Sequence, residues 1–132
     1  MSIEKDNYID EIEEDDEEEN NFEIKRWMIK ELHLTGNDLI VFAAIYHFSD
    51  NGKNIYTEGR CFLSRFLEIT PPTIDQTLKR LIKKRLITKM PTTKNNAVFY
   101  NYRIVFENFD FDYYRIILME TRVREHKNKG VE

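Results

Sequence analysis

Residues 63–87, LSRFLEITPPTIDQTLKRLIKKRLI, constrain the fold of this chain more than any other stretch. Leu63, Phe66, Leu67 and Ile69 form an apolar cluster that ends at Thr70-Pro71-Pro72. A second pattern starts there, with Ile74, Leu78, Leu81 and Ile82 at i, i+4, i+7 and i+8, one stripe of a 3.6-residue helix. Thr70 offers a side-chain oxygen to the first free N–H groups of that helix. Pro71 then falls at the first helical position, where a missing N–H has no cost. As the residue before a proline, Thr70 is driven to the extended geometry that a cap residue adopts in any case. The stretch therefore predicts two helices joined by a short, stiff turn.

The opposite face of the second helix carries the chemistry. At 100° per residue, Pro72, Thr73, Gln76, Lys79, Arg80 and Lys83 point away from the apolar stripe. Residues 75–89 hold six basic side chains (Lys79, Arg80, Lys83, Lys84, Arg85 and Lys89) against the single acid Asp75. A helix face of amides and cations suits phosphates and base edges in a major groove. The same face also fits a plain solvated surface.

The spacing Leu63-x-x-Phe66-Leu67-x-Ile69-Thr70-x-x-Thr73-Ile74-x-x-x-Leu78-x-x-Leu81-x-x-x-x-Leu86-Ile87 resembles the helix-turn-helix of winged-helix DNA-binding proteins. The likeness extends over roughly residues 32–105. It implies that the second helix is a recognition helix followed by a two-stranded wing. Many members of that family carry glycine before the final Leu-Ile pair, where this chain has Arg85. Residues 24–48 also resemble, loosely, the opening of replication initiators and phage regulators. Winged helices serve as protein-interaction modules too, so fold alone does not assign a role.

A chain of 132 residues suits one domain that can bury a core without disulfides or metal. The acidic start lacks an apolar run, which predicts no secretory leader. No stretch approaches the ~20 apolar residues of a membrane helix. Cys61 is the sole cysteine, which excludes an intramolecular disulfide and suits a reducing cytoplasm. Cys61 is expected as a small core residue of the first motif helix.

The formal net charge of −4 conceals two opposite halves. Residues 1–23 hold twelve acids and one lysine, whereas residues 24–132 hold nineteen basic and twelve acidic side chains. An acidic tail is thus joined to a basic domain. Residues 1–21 have too little apolar surface to offset the entropy of ordering and are expected to be a disordered tail. Three roles fit it: a solvating tail, a segment that folds over the basic face and competes with DNA phosphates, or a ligand for a basic protein partner. Ile3, Tyr8, Ile9 and Ile12 are its apolar points.

Residues 22–107 are expected to form the winged-helix domain and residues 108–132 a C-terminal helix. Within the domain, residues 27–31 predict a short helix with Trp27 as a core anchor. A helix over 38–48 follows the start signal Thr35-Gly36-Asn37-Asp38, burying Leu39, Phe42, Ala43, Ile45 and Tyr46. Ile55-Tyr56 predicts a short strand, which the resemblance to winged helices implies pairs with the wing, and Thr57 predicts a cap for a helix over 58–67. The recognition helix is expected over 71–84, strands over 86–90 and 97–105, and a polar loop over 91–96. In the C-terminal helix, Asp110 and Asp112 lie at the positive end and Arg122, Arg124 and Lys127 at the negative end. Its apolar residues fall on more than one face, which predicts packing on its own domain and on a second subunit. Two such subunits would match a palindromic site.

Catalytic chemistry has no foothold. Gly36, Gly52, Gly59 and Gly130 are isolated, so no phosphate-cradling loop exists. His33, His47 and His126 lack ligand spacing with one another or with Cys61, so neither a metal nor a cofactor is expected. The carboxylates are dense only in the tail, which argues against an enzyme. The fold class expected is mainly α with a small β-hairpin wing: a winged helix-turn-helix plus a C-terminal helix. The function expected is binding of double-stranded DNA by a cytoplasmic regulator of transcription or replication, of bacterial, phage or plasmid type. Gln76 and Arg80 are the candidates for base contacts. Lys79, Lys83, Lys84 and Lys94 are the candidates for phosphates, with Thr73, Asn95, Asn96 and Arg103 completing the surface. The alternative is a protein-binding adaptor or inhibitor that uses the acidic tail as a nucleic-acid mimic against a host enzyme.

Overall fold

A computed structural model describes residues 21–131, and side chains as far as residue 122. The acidic tail, apart from residue 21, lies outside the described residues, as do the side chains of Arg124, His126 and Lys127. Among the described residues the fold is five α-helices and one antiparallel two-stranded sheet. The helices are α1 (Arg26–Lys30), α2 (Gly36–Phe48), α3 (Gly59–Leu67), α4 (Pro71–Lys83) and α5 (Tyr113–Val131). Strands β1 (Ile87–Lys94) and β2 (Ala97–Ile104) follow α4, and a single 3₁₀ turn, Phe106–Asn108, leads toward α5.

The core is built from α2 outward. Val41, Phe42, Ala43, Ala44, Ile45 and Tyr46 are all buried, so this short helix is covered on every side of its second half. Leu39, expected inside, is only partly buried. Trp27 sits edge-on to Phe42, Tyr46 and Tyr113, with Phe109 and Phe111 tilted against it. That cage ties α1, α2 and the segment before α5 into one aromatic cluster. Tyr46 and Tyr113 share a buried hydrogen bond between their hydroxyls at 2.6 Å.

From α4 come Ile74, Leu78 and Leu81, all buried against the same core. Thr70 has the expected extended geometry, φ −63° and ψ 148°, and Pro71 occupies the first helical position. The Thr70 hydroxyl does not cap the helix, however. It donates to Thr73 Oγ1 at 3.0 Å instead. At the far end, Leu86 N–H donates to Leu81 O and Arg85 N–H to Ile82 O, the paired bonds of a Schellman stop. Arg85 is left-handed there, with φ 65°. It occupies the position where glycine would be unstrained.

Three local expectations are corrected. The side chain of Thr57 does not cap α3: Glu58 stands at that position, with no side-chain capping bond. Cys61 is exposed, not a core residue. It lies about 200° around α3 from Leu63, on the face turned away from the core. The hairpin is also longer than its sequence suggests. Pro91 to Lys94 continue β1, and only Asn95 and Asn96, with φ 54° and 63°, form the loop. Pro91 is accommodated because β1 is an edge strand, where a missing N–H leaves no ladder partner unsatisfied.

The sheet has a third contributor. Tyr56 forms an antiparallel bridge to Tyr102, with N–H···O distances of 2.7 and 3.1 Å in the two directions. Tyr56 hydroxyl then donates to Gly59 O at 2.7 Å, fixing the entry to α3. Gly52, at φ 77°, closes the turn before this bridge; a Cβ there would meet the Phe106 ring at 2.3 Å.

Candidate nucleic-acid interface

The exposed face of α4 divides into two strips. At 100° per residue, Pro72, Gln76, Lys79 and Lys83 form the central strip, whereas Thr73, Arg80 and Lys84 fall on the flank toward α2. The central side chains are exposed, and among the described residues Lys79 and Lys83 enter no ion pair. The flank is engaged. Arg80 Nε donates to Asp38 Oδ1 and Lys84 Nζ to Asp38 Oδ2, each at 2.8 Å. Arg80 Nη2 also donates to Thr77 Oγ1 at 3.0 Å.

Asp38 lies in the first turn of α2, where the helix dipole favours a carboxylate. Burial alone would raise its pKa, but the hydrogen bonds from Lys84 and Arg80 outweigh that and hold it below the ordinary value. The carboxylate side chain is only 12% exposed, against 47% for Arg80 and 45% for Lys84. The two cations thus keep an open edge toward solvent while one acid fixes their inner atoms. Of the two residues expected to read bases, Gln76 is unencumbered and Arg80 is held in place. Thr73 is half-buried and accepts the Thr70 hydroxyl.

The hairpin stands beside this helix. Residues 91–100 are all exposed, so its outer half projects beyond the core. Register places Lys89 opposite Tyr102, Pro91 opposite Tyr100 and Thr93 opposite Val98, all on the face that becomes buried at the base. Lys89 Nζ lies 3.8 Å above the Tyr100 ring. Val98 and Tyr100 remain 58% and 42% exposed on that inner face. Lys94, Asn95 and Asn96 sit at the tip as expected. Arg103 does not join them. It is on the outer face near the base, with weak 3.4 Å contacts to Glu107.

A groove of about 970 Å³ separates the inner face of the hairpin from α3 and α4. Its floor includes Leu78, Ile82, Val98, Tyr100 and Tyr102, and its rim carries four cations, Arg60, Lys79, Lys89 and Lys94, against two acids, Glu58 and Asp75. Arg60 pairs with Asp75 across the two helices at 2.6 Å. Cys61 also lines this groove. Sequence reading missed the groove, because it depends on how far the hairpin overhangs α4. The alternation Val98, Tyr100, Tyr102, Ile104 was its available signal, since those four residues span more strand than the core can cover.

Among the described residues no group of His, Cys, Asp or Glu could hold a metal ion, and no helix is long and apolar enough to cross a membrane. The chain matches no protein-family model, no curated protein sequence and no solved structure.

Proposed function

We propose that the chain is a winged-helix protein that binds double-stranded DNA, with α4 as recognition helix and the β1–β2 hairpin as wing. The observation that carries this reading is the order of elements around one free basic face. Helix α2, the Tyr56 bridge, α3, α4 and a projecting hairpin follow one another, and Gln76, Lys79 and Lys83 line the outward strip of α4. Gln76 has the donor and acceptor of a bidentate adenine contact. Lys79, Lys83 and the tip lysine Lys94 supply phosphate contacts, and Asn95 and Asn96 reach toward a minor groove. The role is that of a regulator of transcription or replication, with binding and no catalysis. A second copy docking through α5 belongs to the same reading, because Tyr114 and Leu118, one turn apart, are 70% and 61% exposed. Sedimentation of the full chain and of Leu118→Glu tests that contact; a monomer in both removes it.

Selection from a random duplex library at physiological salt tests the main reading. Enrichment of one motif, above all a palindrome, supports it. Failure to retain any duplex, even at 50 mM salt where phosphate contacts are strong, overturns it. A protein-binding adaptor is the second reading, favoured by the nine acids within residues 10–19. It predicts capture of a basic protein that is lost when those acids are neutralised.

A further inference from the structure

The groove between hairpin and helices combines features that duplex DNA does not use. A phosphate backbone has no need of an apolar floor, yet Leu78, Ile82, Val98 and Tyr100 present one beneath a basic rim. Such a surface suits an acidic peptide with a few apolar anchors. This chain contains one. Residues 8–19 read YIDEIEEDDEEE, with Tyr8, Ile9 and Ile12 as apolar points among nine acids.

We propose that residues 8–19 dock in this groove of their own chain, with Tyr8, Ile9 and Ile12 on the apolar floor and the acids against Lys79, Lys89 and Lys94. The tether permits it. Phe22 packs on Phe66 of α3, with ring centroids 5.8 Å apart. Arg60, at the groove edge, is six residues back along the same helix, about 9 Å at helical rise. Ile12 is ten residues before Phe22, and ten extended residues span up to about 33 Å. A link of about ten residues gives an effective concentration of the order of millimolar, so a modest site is filled within one molecule. Charge complementarity selects this face: the groove rim holds lysines that enter no described ion pair. Docking does not depend on DNA binding. Its consequence, occupation of Lys79 and Lys94 in competition with phosphates, rests on the DNA-binding reading above.

Cys61 makes the test direct, being the sole cysteine, exposed and on the groove wall. A nitroxide attached there in the full-length, ¹⁵N-labelled chain should broaden the amide signals of residues 8–19. The triple variant Ile9→Ser, Ile12→Ser, Tyr8→Ser should recover them, and so should Lys79→Glu with Lys94→Glu. Full-intensity signals from residues 8–19 in the spin-labelled chain of native sequence overturn the proposal. Equal broadening when ¹⁵N chain without nitroxide is mixed with nitroxide-labelled chain at natural isotope abundance overturns it too, because the occupant is then a second copy's segment. Duplex affinity of the same variants separates the two readings. Broadening with no duplex binding by any variant leaves the docking standing and removes the DNA reading. Broadening with tighter duplex binding by the Tyr8, Ile9, Ile12 variant supports both.

Discussion

Arg80, on the flank of α4 toward α2, donates its Nε to Asp38 Oδ1 at the start of α2, and the pair is separated by 42 residues of sequence. Asp38 is thus a brake on the basic face, because the same carboxylate also takes Lys84. Asp38→Asn should release both cations. Under the proposed function, duplex binding then tightens and the slope of log affinity against log salt steepens by about 1–2. Titration of binding from 50 to 300 mM salt checks this; an unchanged slope means that neither cation meets phosphate.

The same ion pairs set an acid limit on stability. The folded pKa of Asp38 is depressed, so its contribution is fully present above its unfolded value and lost as pH falls through the folded one. Both pairs have half-exposed cations, so the contribution is about 1 kcal/mol. Denaturation of wild type and Asp38→Asn should differ at pH 7 and converge once pH falls below the ordinary aspartate range. Equal stability at pH 7 would sink the argument.

The two strips of α4 should behave differently. Lys79→Ala and Lys83→Ala should weaken binding to every duplex alike and lower the salt slope by about one each. Gln76→Ala should cost about 1–3 kcal/mol at the preferred site and little elsewhere. Competition between the selected duplex and a random one reads the difference. Uniform losses for all three variants mean that Gln76 contacts only backbone.

Arg85 is held left-handed by the Schellman bonds that end α4, which costs an L residue about 1–2 kcal/mol. Arg85→Gly should therefore stabilise the chain by about 1 kcal/mol, near 4 °C in Tm. Asn108 Nδ2 donates to Arg85 O, a bond the substitution leaves intact. A lower Tm would show that the arginine side chain compensates its own backbone.

Tyr46→Phe should destabilise by about 1–3 kcal/mol, because it leaves the Tyr113 hydroxyl buried without its partner. The double variant Tyr46→Phe, Tyr113→Phe should lie closer to wild type than the sum of the two single changes. Chemical denaturation of the four proteins measures the coupling, and strict additivity removes it.

Helix α4 was legible because it buries a periodic stripe: Ile74, Leu78 and Leu81 are inside as their spacing requires. The bridge from Tyr56 to the hairpin was expected only through the resemblance to winged helices, since nothing local links residue 56 to residue 102. Cys61 was misjudged because residue type was weighed above its angle on the helix. The outer half of β1 was hidden by Pro91 and its polar neighbours, which read as loop until the edge position of the strand is known. The Asp38 pairs were invisible, since nothing local links residues 38, 80 and 84. They follow only from how α2 crosses α4.

Trp27, the only tryptophan, touches aromatic rings from α2 and from residues 109–113, yet lines no part of the groove. Its fluorescence is therefore a built-in reporter with a defined blind spot. Emission will shift when the C-terminal helix lifts from the body or the domain unfolds. It will stay silent when a ligand enters beside the hairpin, so optical stability curves and binding curves on this protein can be read without interfering with each other.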